Sequence, residues 1–268
     1  MLTDAHNHAY AGRLEPHREA VEAALSKVGL AVAVVNGTYP GDFEAVRSFC
    51  GNRGWALPAY GLHPWRVNDR RADWLDCLRK AVETANHTLA IVEVGPEQWI
   101  QDADIDAQIA VFRDEIQLSR DTGLPLCIHC LRAWGPLLAI MQEEKPFPAG
   151  FLVHAFAGST EGMRQLADLG GFFSFSAYIA DPRRKTTREA ARACPAGRLL
   201  LETDAPDMAP PPEVTRWPLG RQDKKRRIHH PAEIATARDV VAEMRGESSA
   251  SVEDRTTENF RRLFGRDD

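Results

Sequence analysis

Short apolar runs alternate with amphipathic stretches along this chain, and several of the runs end on a histidine or an acid. The sharpest is Leu199–Leu200–Leu201–Glu202–Thr203–Asp204–Ala205–Pro206. Three leucines in a row suit a strand covered on both faces, as in parallel sheets. Pro206 has no N–H to offer a ladder, so the strand stops there with Asp204 at its tip. Leu2–Thr3–Asp4–Ala5–His6–Asn7–His8, Leu89–Ala90–Ile91–Val92–Glu93, Leu126–Cys127–Ile128–His129 and Phe151–Leu152–Val153–His154 share the form.

The same pattern predicts further strands at Leu30–Val35, Ala56–Tyr60 and Phe172–Phe175, and places the others at Thr88–Val94, Leu124–His129, Gly150–His154 and Arg198–Thr203. Between them, apolar residues recur at helical spacing over Arg13–Val28, Asp42–Cys50, Ala72–Ala85, Ile105–Arg120, Ala133–Gln142, Thr160–Leu169 and Lys185–Ala193, then again over Ala232–Met244 and Val252–Leu263. Eight strand–helix units predict an α/β fold, a (β/α)8 TIM barrel as a single domain over residues 1–268. The competitor is a doubly wound open sheet, but no G-x-G-x-x-G follows the first strand. Residues 205–231 carry six prolines and the run Lys224–Lys225–Arg226–Arg227, which reads as a long loop over the barrel mouth.

At 44% hydrophobic and 26% charged, the 268 residues can bury a large core. The net charge of −5 argues against nucleic-acid binding through overall basicity and leaves local basic patches open. Five cysteines, an odd number, suggest no disulfide framework. Cys127 and Cys130 form a C-x-x-C, but three residues apart on a strand they face opposite ways, so no redox role is expected. No apolar run is long enough to span a membrane. The N-terminus carries Asp4, His6 and His8 where a signal peptide would be apolar, so a cytoplasmic protein is expected.

In a parallel barrel the site lies at the C-terminal strand ends. His6, His8, His63, Glu93, His129, His154 and Asp204 all fall there. His6 and His8, two apart on a strand, share a face. Imidazoles and carboxylates are ligands for Zn²⁺ and similar ions. His6, His8, Glu93, His129, His154 and Asp204 exceed what one tetrahedral ion needs, whereas two ions bridged by Glu93 would use them all and activate water between them. Read singly, each residue has a plainer role: His63 shapes a turn before Pro64, Glu93 pairs with a lysine, and His-x-His is structural. No G-x-S-x-G is present for a serine nucleophile. The runs Lys224–Arg227 and Arg183–Arg184–Lys185 with Arg188 are either solvated surface or phosphate contacts. Trp65, Trp99 and Trp134 either stack on bases or roof the barrel.

At these residues the chain resembles the TatD family of metal-dependent deoxyribonucleases, in the amidohydrolase superfamily. Asp4–Ala5–His6–Asn7–His8 matches its D-x-H-x-H, Gly61–Leu62–His63–Pro64 its G-x-H-P, and Ile91–Val92–Glu93–Val94–Gly95 its I-G-E-x-G. Pro125–His129, His154–Ser159, Glu202–Pro206 and Asn259–Gly265 resemble later motifs, in order. The resemblance implies one or two divalent ions (Zn²⁺, Mn²⁺ or Mg²⁺). His6, His8, Glu93 and Asp204 would hold the first, and Glu93, His129 and His154 the second. It implies Asp204 as catalytic base and His63 beside the substrate phosphate. Typical members carry an arginine two residues after the strand-five histidine. Here that position is Leu131, and Arg132 follows it as the candidate substrate-binding residue.

The expectation is therefore a metal-dependent hydrolase cleaving DNA phosphodiesters, with Asp204 and Glu93 catalytic. A small ester, amide or phosphoester substrate is the alternative. A non-catalytic metal- or partner-binding barrel is the reading from another class. No membrane and no obligate protein partner are expected.

Overall fold

The computed structural model describes residues 1–84, 87–220 and 226–265. Its strands are β1 (Leu2–Asn7), β2 (Leu30–Asn36), β3 (Ala56–Ala59), β4 (Ile91–Val94), β5 (Leu126–Ile128), β6 (Phe151–Val153), β7 (Gly171–Phe175) and β8 (Leu199–Leu201). Neighbours pair in parallel, β1 through β3 in one run and β4 through β8 in the other. Two seams join the runs. A bridge between Tyr60 and Ile91 links β3 to β4. The Asp204 N–H donates to the His6 carbonyl at 2.9 Å, and the His8 N–H to the Ala205 carbonyl at 2.7 Å, linking β8 to β1. An open sheet would leave those edges apart. This is the (β/α)8 barrel that the alternation predicts.

The helices are α1 (Arg18–Val28), α2 (Phe43–Gly51), α3 (Trp74–Thr84), α4 (Ile105–Thr122), α5 (Trp134–Glu143), α6 (Thr160–Asp168), α7 (Lys185–Ala193), α8 (Ile234–Arg245) and α9 (Ser249–Phe264). The helix expected over Arg13–Val28 begins late. Gly12–His17 is a 3₁₀ segment containing Pro16, whose missing N–H interrupts the α-helical ladder. α4 runs past Arg120 to Thr122, where Gly123 takes the left-handed conformation (φ 70°) that closes it. The predicted strand Thr88–Val94 shortens to Ile91–Val94 and Leu124–His129 to Leu126–Ile128.

Strand alternation sorts the core into two shells. Ala5, Val34, Ala59, Ala90, Val92, Cys127, Leu152, Phe172 and Leu200 fill the lumen, together with Phe260, Leu263 and Phe264 of α9. The intervening Val35, Ile91, Leu126, Ile128, Phe151, Val153, Leu199 and Leu201 face the helices. α9 lies across the N-terminal end: Asn259 donates to the carbonyls of Ala196 and Leu199, and Thr257 to that of Met1. α9 thus covers the lumen at this end, and the polar strand ends lie at the other. There Gly61 lets β3 close on β4, since a Cβ on it would lie 1.7 Å from the Val92 carbonyl oxygen.

Candidate metal centre

Each strand end delivers its polar side chain by a local device. On β5 and β6, Cys127 and Leu152 point into the lumen. His129 and His154, two residues on, therefore rise above it on the same face. Glu93 directly follows the lumen residue Val92, and regular alternation would turn it outward. A register shift between Val92 and Val94 and a left-handed backbone at Glu93 (φ 60°) bring it inward. β1 shifts register between Asp4 and Asn7. Asp204 is also left-handed (φ 57°). Such conformations cost on the order of 1–3 kcal/mol each and cluster at functional sites.

Glu93 is the centre of the cluster. Its Oε1 lies 3.2 Å from His6 Nε2 and 2.9 Å from His8 Nε2. Its Oε2 lies 3.4 Å from His154 Nε2, 3.7 Å from His129 Nδ1 and 3.8 Å from His63 Nε2. Asp204 Oδ1 is 3.7 Å from His6 Nε2 and 3.6 Å from His8 Nε2. The His6 and His154 rings stack at 3.7 Å. All six side chains expected as ligands, with His63, are thus brought together above the lumen.

The donor set fits divalent cations. His6–His8–Glu93, His6–His154–Asp204 and His63–Glu93–His129 each place their ligand-type atoms within 4.8 Å of one another. Glu93 Oε2, which faces His154 Nε2 and His129 Nδ1, is buried with no hydrogen-bond partner, a costly state for a polar atom that a cation relieves. Burial would push both acids up. The surrounding histidines outweigh it, holding Glu93 well below and Asp204 below the usual carboxylate range. Burial pushes His6 down to about 4 and His129 well down, so both are neutral, with lone pairs available.

Partners behind the rings orient them. His8 Nδ1 donates to the Asn36 carbonyl at 2.9 Å, which points Nε2 at Glu93 and Asp204. Despite burial these carboxylates hold His8 well above the ordinary histidine value, and Glu93 holds His154 at about 9, protons that a bound cation would displace. His6 Nδ1 meets the Cys127 sulfur at 3.2 Å. His63 differs: its Nδ1 accepts the Trp65 N–H at 3.1 Å, so the neutral ring carries its proton on Nε2. Behind His154 stands Glu202, whose Oε2 accepts from Ser174 Oγ at 2.6 Å and lies 3.9 Å from His154 Nδ1.

A model of the family described as TatD-related DNase matches residues 3–265. The chain belongs to that family. It is 31% identical over 271 residues to the metal-dependent hydrolase YcfH of Escherichia coli K12, covering 98% of this chain and 96% of the relative. It is 26% identical over 249 residues to the 3′-5′ ssDNA/RNA exonuclease TatD of Erwinia billingiae, covering 92% of each. The crystal structure of YJJV, a TatD homolog from Escherichia coli, superposes with a TM-score of 0.89 at 24% identity, covering 99% of this chain and 98% of that one.

As a TatD-family member the chain is a metal-dependent hydrolase, and the surroundings of its cluster can be read in that light. The cluster forms one wall of a cavity of about 490 Å³ that Tyr10, Arg13, Thr38, Trp65, Arg66, Asp207 and Arg226 also line. Trp65 is 49% exposed and meets His63 edge-on at 4.9 Å. Trp134 instead packs on Phe156 as part of the barrel roof. Arg132 is not brought into this cavity. Its left-handed backbone (φ 61°) leaves it exposed, with its guanidinium 4.1 Å from the centre of the Trp99 ring. Lys224 and Lys225 lie outside the described residues. Arg227 ties the loop to Thr215 at 3.3 Å and to the Pro210 carbonyl. Arg183 pairs with Asp181.

Asn36, Cys127 and Glu202, the partners behind the rings, were not foreseen as site residues. Cys127 and Glu202 each sit two residues before a predicted ligand, but the ring each one backs, His6 or His154, comes from another strand.

Proposed function

We propose that the chain is a deoxyribonuclease that hydrolyses phosphodiester bonds in single-stranded DNA with the help of two divalent ions. The observation that carries this is the placement of Glu93, one oxygen facing His6 and His8 and the other facing His129 and His154. His6, His8, Glu93 and Asp204 would hold one ion; Glu93, His129 and His154 would hold the other. When bound, such ions supply Lewis acidity that makes water nucleophilic near neutral pH and offsets charge on phosphoryl oxygens. The imidazole-rich donor set favours Zn²⁺ over Mg²⁺ or Mn²⁺.

The chain's own groups do the rest. Asp204, held ionised, accepts the proton of the attacking water. His63, neutral with its proton on Nε2, donates a hydrogen bond to a phosphoryl oxygen as charge develops there. Arg66 and Arg226 supply positive charge along the same cavity, where Arg13 is paired with Asp207, and exposed Trp65 offers a face to a base. Arg132, over Trp99 and outside the cavity, has no support from the geometry as a phosphate contact. The proposal extends to one catalytic unit over the whole chain. It also extends to a cytoplasmic setting, which five unpaired cysteines suit. That the relative from Erwinia billingiae is named an ssDNA/RNA exonuclease supports this substrate class.

Leu131 in place of an arginine favours a second reading, hydrolysis of a small phosphoester. The deciding experiment is cleavage of end-labelled single-stranded DNA with Zn²⁺, Mn²⁺ or Mg²⁺, with chelator, and with Asp204→Asn. Metal-dependent cleavage that Asp204→Asn loses by three orders of magnitude or more, and that weakens as salt rises, supports the nuclease. No cleavage with any ion moves the assignment to the small substrate.

A further inference from the structure

Beside the metal centre lies a second chamber of about 300 Å³, between the ends of β5, β6 and β7. It shares His129, His154 and Asp204 with the main cavity, so a group inside it lies next to the cluster, within reach of a sugar attached to the reacting phosphate. Its character is different. Leu131, Phe156, Phe175, Tyr178, Ile179 and Met208 make its walls apolar, and Trp99, 54% exposed, stands at the rim. Its polar groups are few: Ser174 donates to Glu202, the Ser176 hydroxyl accepts the Tyr178 N–H and keeps its own proton to donate, and Thr187 adds a second hydroxyl. A phosphate would find no cationic partner on the inner wall. The one arginine there, Arg184, is exposed and lies over the Tyr178 ring at 4.3 Å.

We propose, on the phosphodiesterase reading above, that this chamber is the subsite for one nucleobase attached to the scissile phosphate. A planar heterocycle of base size matches the volume and the walls, its faces against the aromatic and aliphatic side chains and its polar edge towards the Ser176 and Thr187 hydroxyls. The chamber and the main cavity then divide the substrate between them, the base in the first and the charged backbone against Arg66 and Arg226 in the second.

Calorimetry on manganese-loaded protein tests this without catalysis, using thymidine 5′-monophosphate and 2-deoxyribose 5-phosphate as probes. The subsite predicts about tenfold tighter binding of the nucleotide, the contribution of one stacked base. Ile179→Trp, which fills the chamber, and Tyr178→Ala, which removes a wall with less risk to the fold, should each bring that ratio close to one. A wild-type ratio near one, including no binding of either probe, overturns the subsite. So does a tenfold ratio that survives both substitutions. DNA cleavage by the same preparation keeps the two ideas apart. Cleavage without a base preference removes the subsite and leaves the nuclease. A base preference without cleavage supports the subsite and removes the nuclease.

Discussion

His63 Nδ1 accepts the backbone N–H of Trp65 at 3.1 Å, and the proton of the ring therefore sits on Nε2, the nitrogen 3.8 Å from Glu93 Oε2. Burial pushes this histidine down to about 4, so it is neutral at physiological pH. A nitrogen that carries a proton donates a hydrogen bond and cannot ligate an ion. Spacing alone would group His63 with Glu93 and His129 as metal ligands; the hydrogen bond separates it from them. His63→Ala should lower kcat by roughly 10²–10³, the effect of losing one preorganised donor. Metal content measured by elemental analysis should stay at the wild-type level. A variant short of one metal equivalent would show that His63 is a ligand.

Asp4 couples the first strand to the last. Its Oδ1 accepts the N–H groups of His6 and Thr203 at 3.2 and 3.0 Å, and its Oδ2 accepts the Thr203 hydroxyl at 2.6 Å. All of these atoms are buried. Thr203→Val keeps the shape and leaves Asp4 without its hydroxyl partner. The expected cost is about 1–3 kcal/mol in chemical denaturation of chelated protein. Denaturation midpoints that match the wild type would mean that the seam between β8 and β1 is held elsewhere.

Glu115 on α4 supports the loop that carries His63. Its Oε1 accepts the Leu62 N–H at 2.9 Å, and its Oε2 is buried without a partner. Burial holds its pKa well above the ordinary value of 4.5. A raised folded-state value means that the folded protein binds the proton more tightly. The stability this gives is full below about 4.5 and is lost as pH rises towards the raised value, at up to about 1.4 kcal/mol per pH unit. Glu115→Gln cannot ionise. Its stability relative to wild type should improve from pH 5 to pH 8, and parallel stability curves would rule out Glu115 as the source.

Most of the barrel was legible because buried parallel strands are short apolar runs, and because Gly123 and its like stop helices. Strand ends were read too long. Thr88–Leu89–Ala90 and Leu124–Pro125 are as apolar as the strands they precede, and only the pairing register excludes them. The metal-ligand candidates were legible because each closes such a run. What brings Glu93 inward was not, since a register shift and a positive φ leave no mark in residue type. Arg132 shows the same limit: its side chain goes to Trp99 and not to the cavity. Glu202 behind His154 and Cys127 beneath His6 became meaningful only once separate strands were brought together.

The central claim is that Glu93 joins two ion sites that act together. It is tested most directly by titrating Mn²⁺ or Zn²⁺ into chelator-stripped protein while following both binding and cleavage of single-stranded DNA. Two equivalents should bind, with cleavage rising as the second site fills, and His129→Ala should retain one equivalent with little activity. Full cleavage at one equivalent, or cleavage indifferent to chelator, would contradict the account.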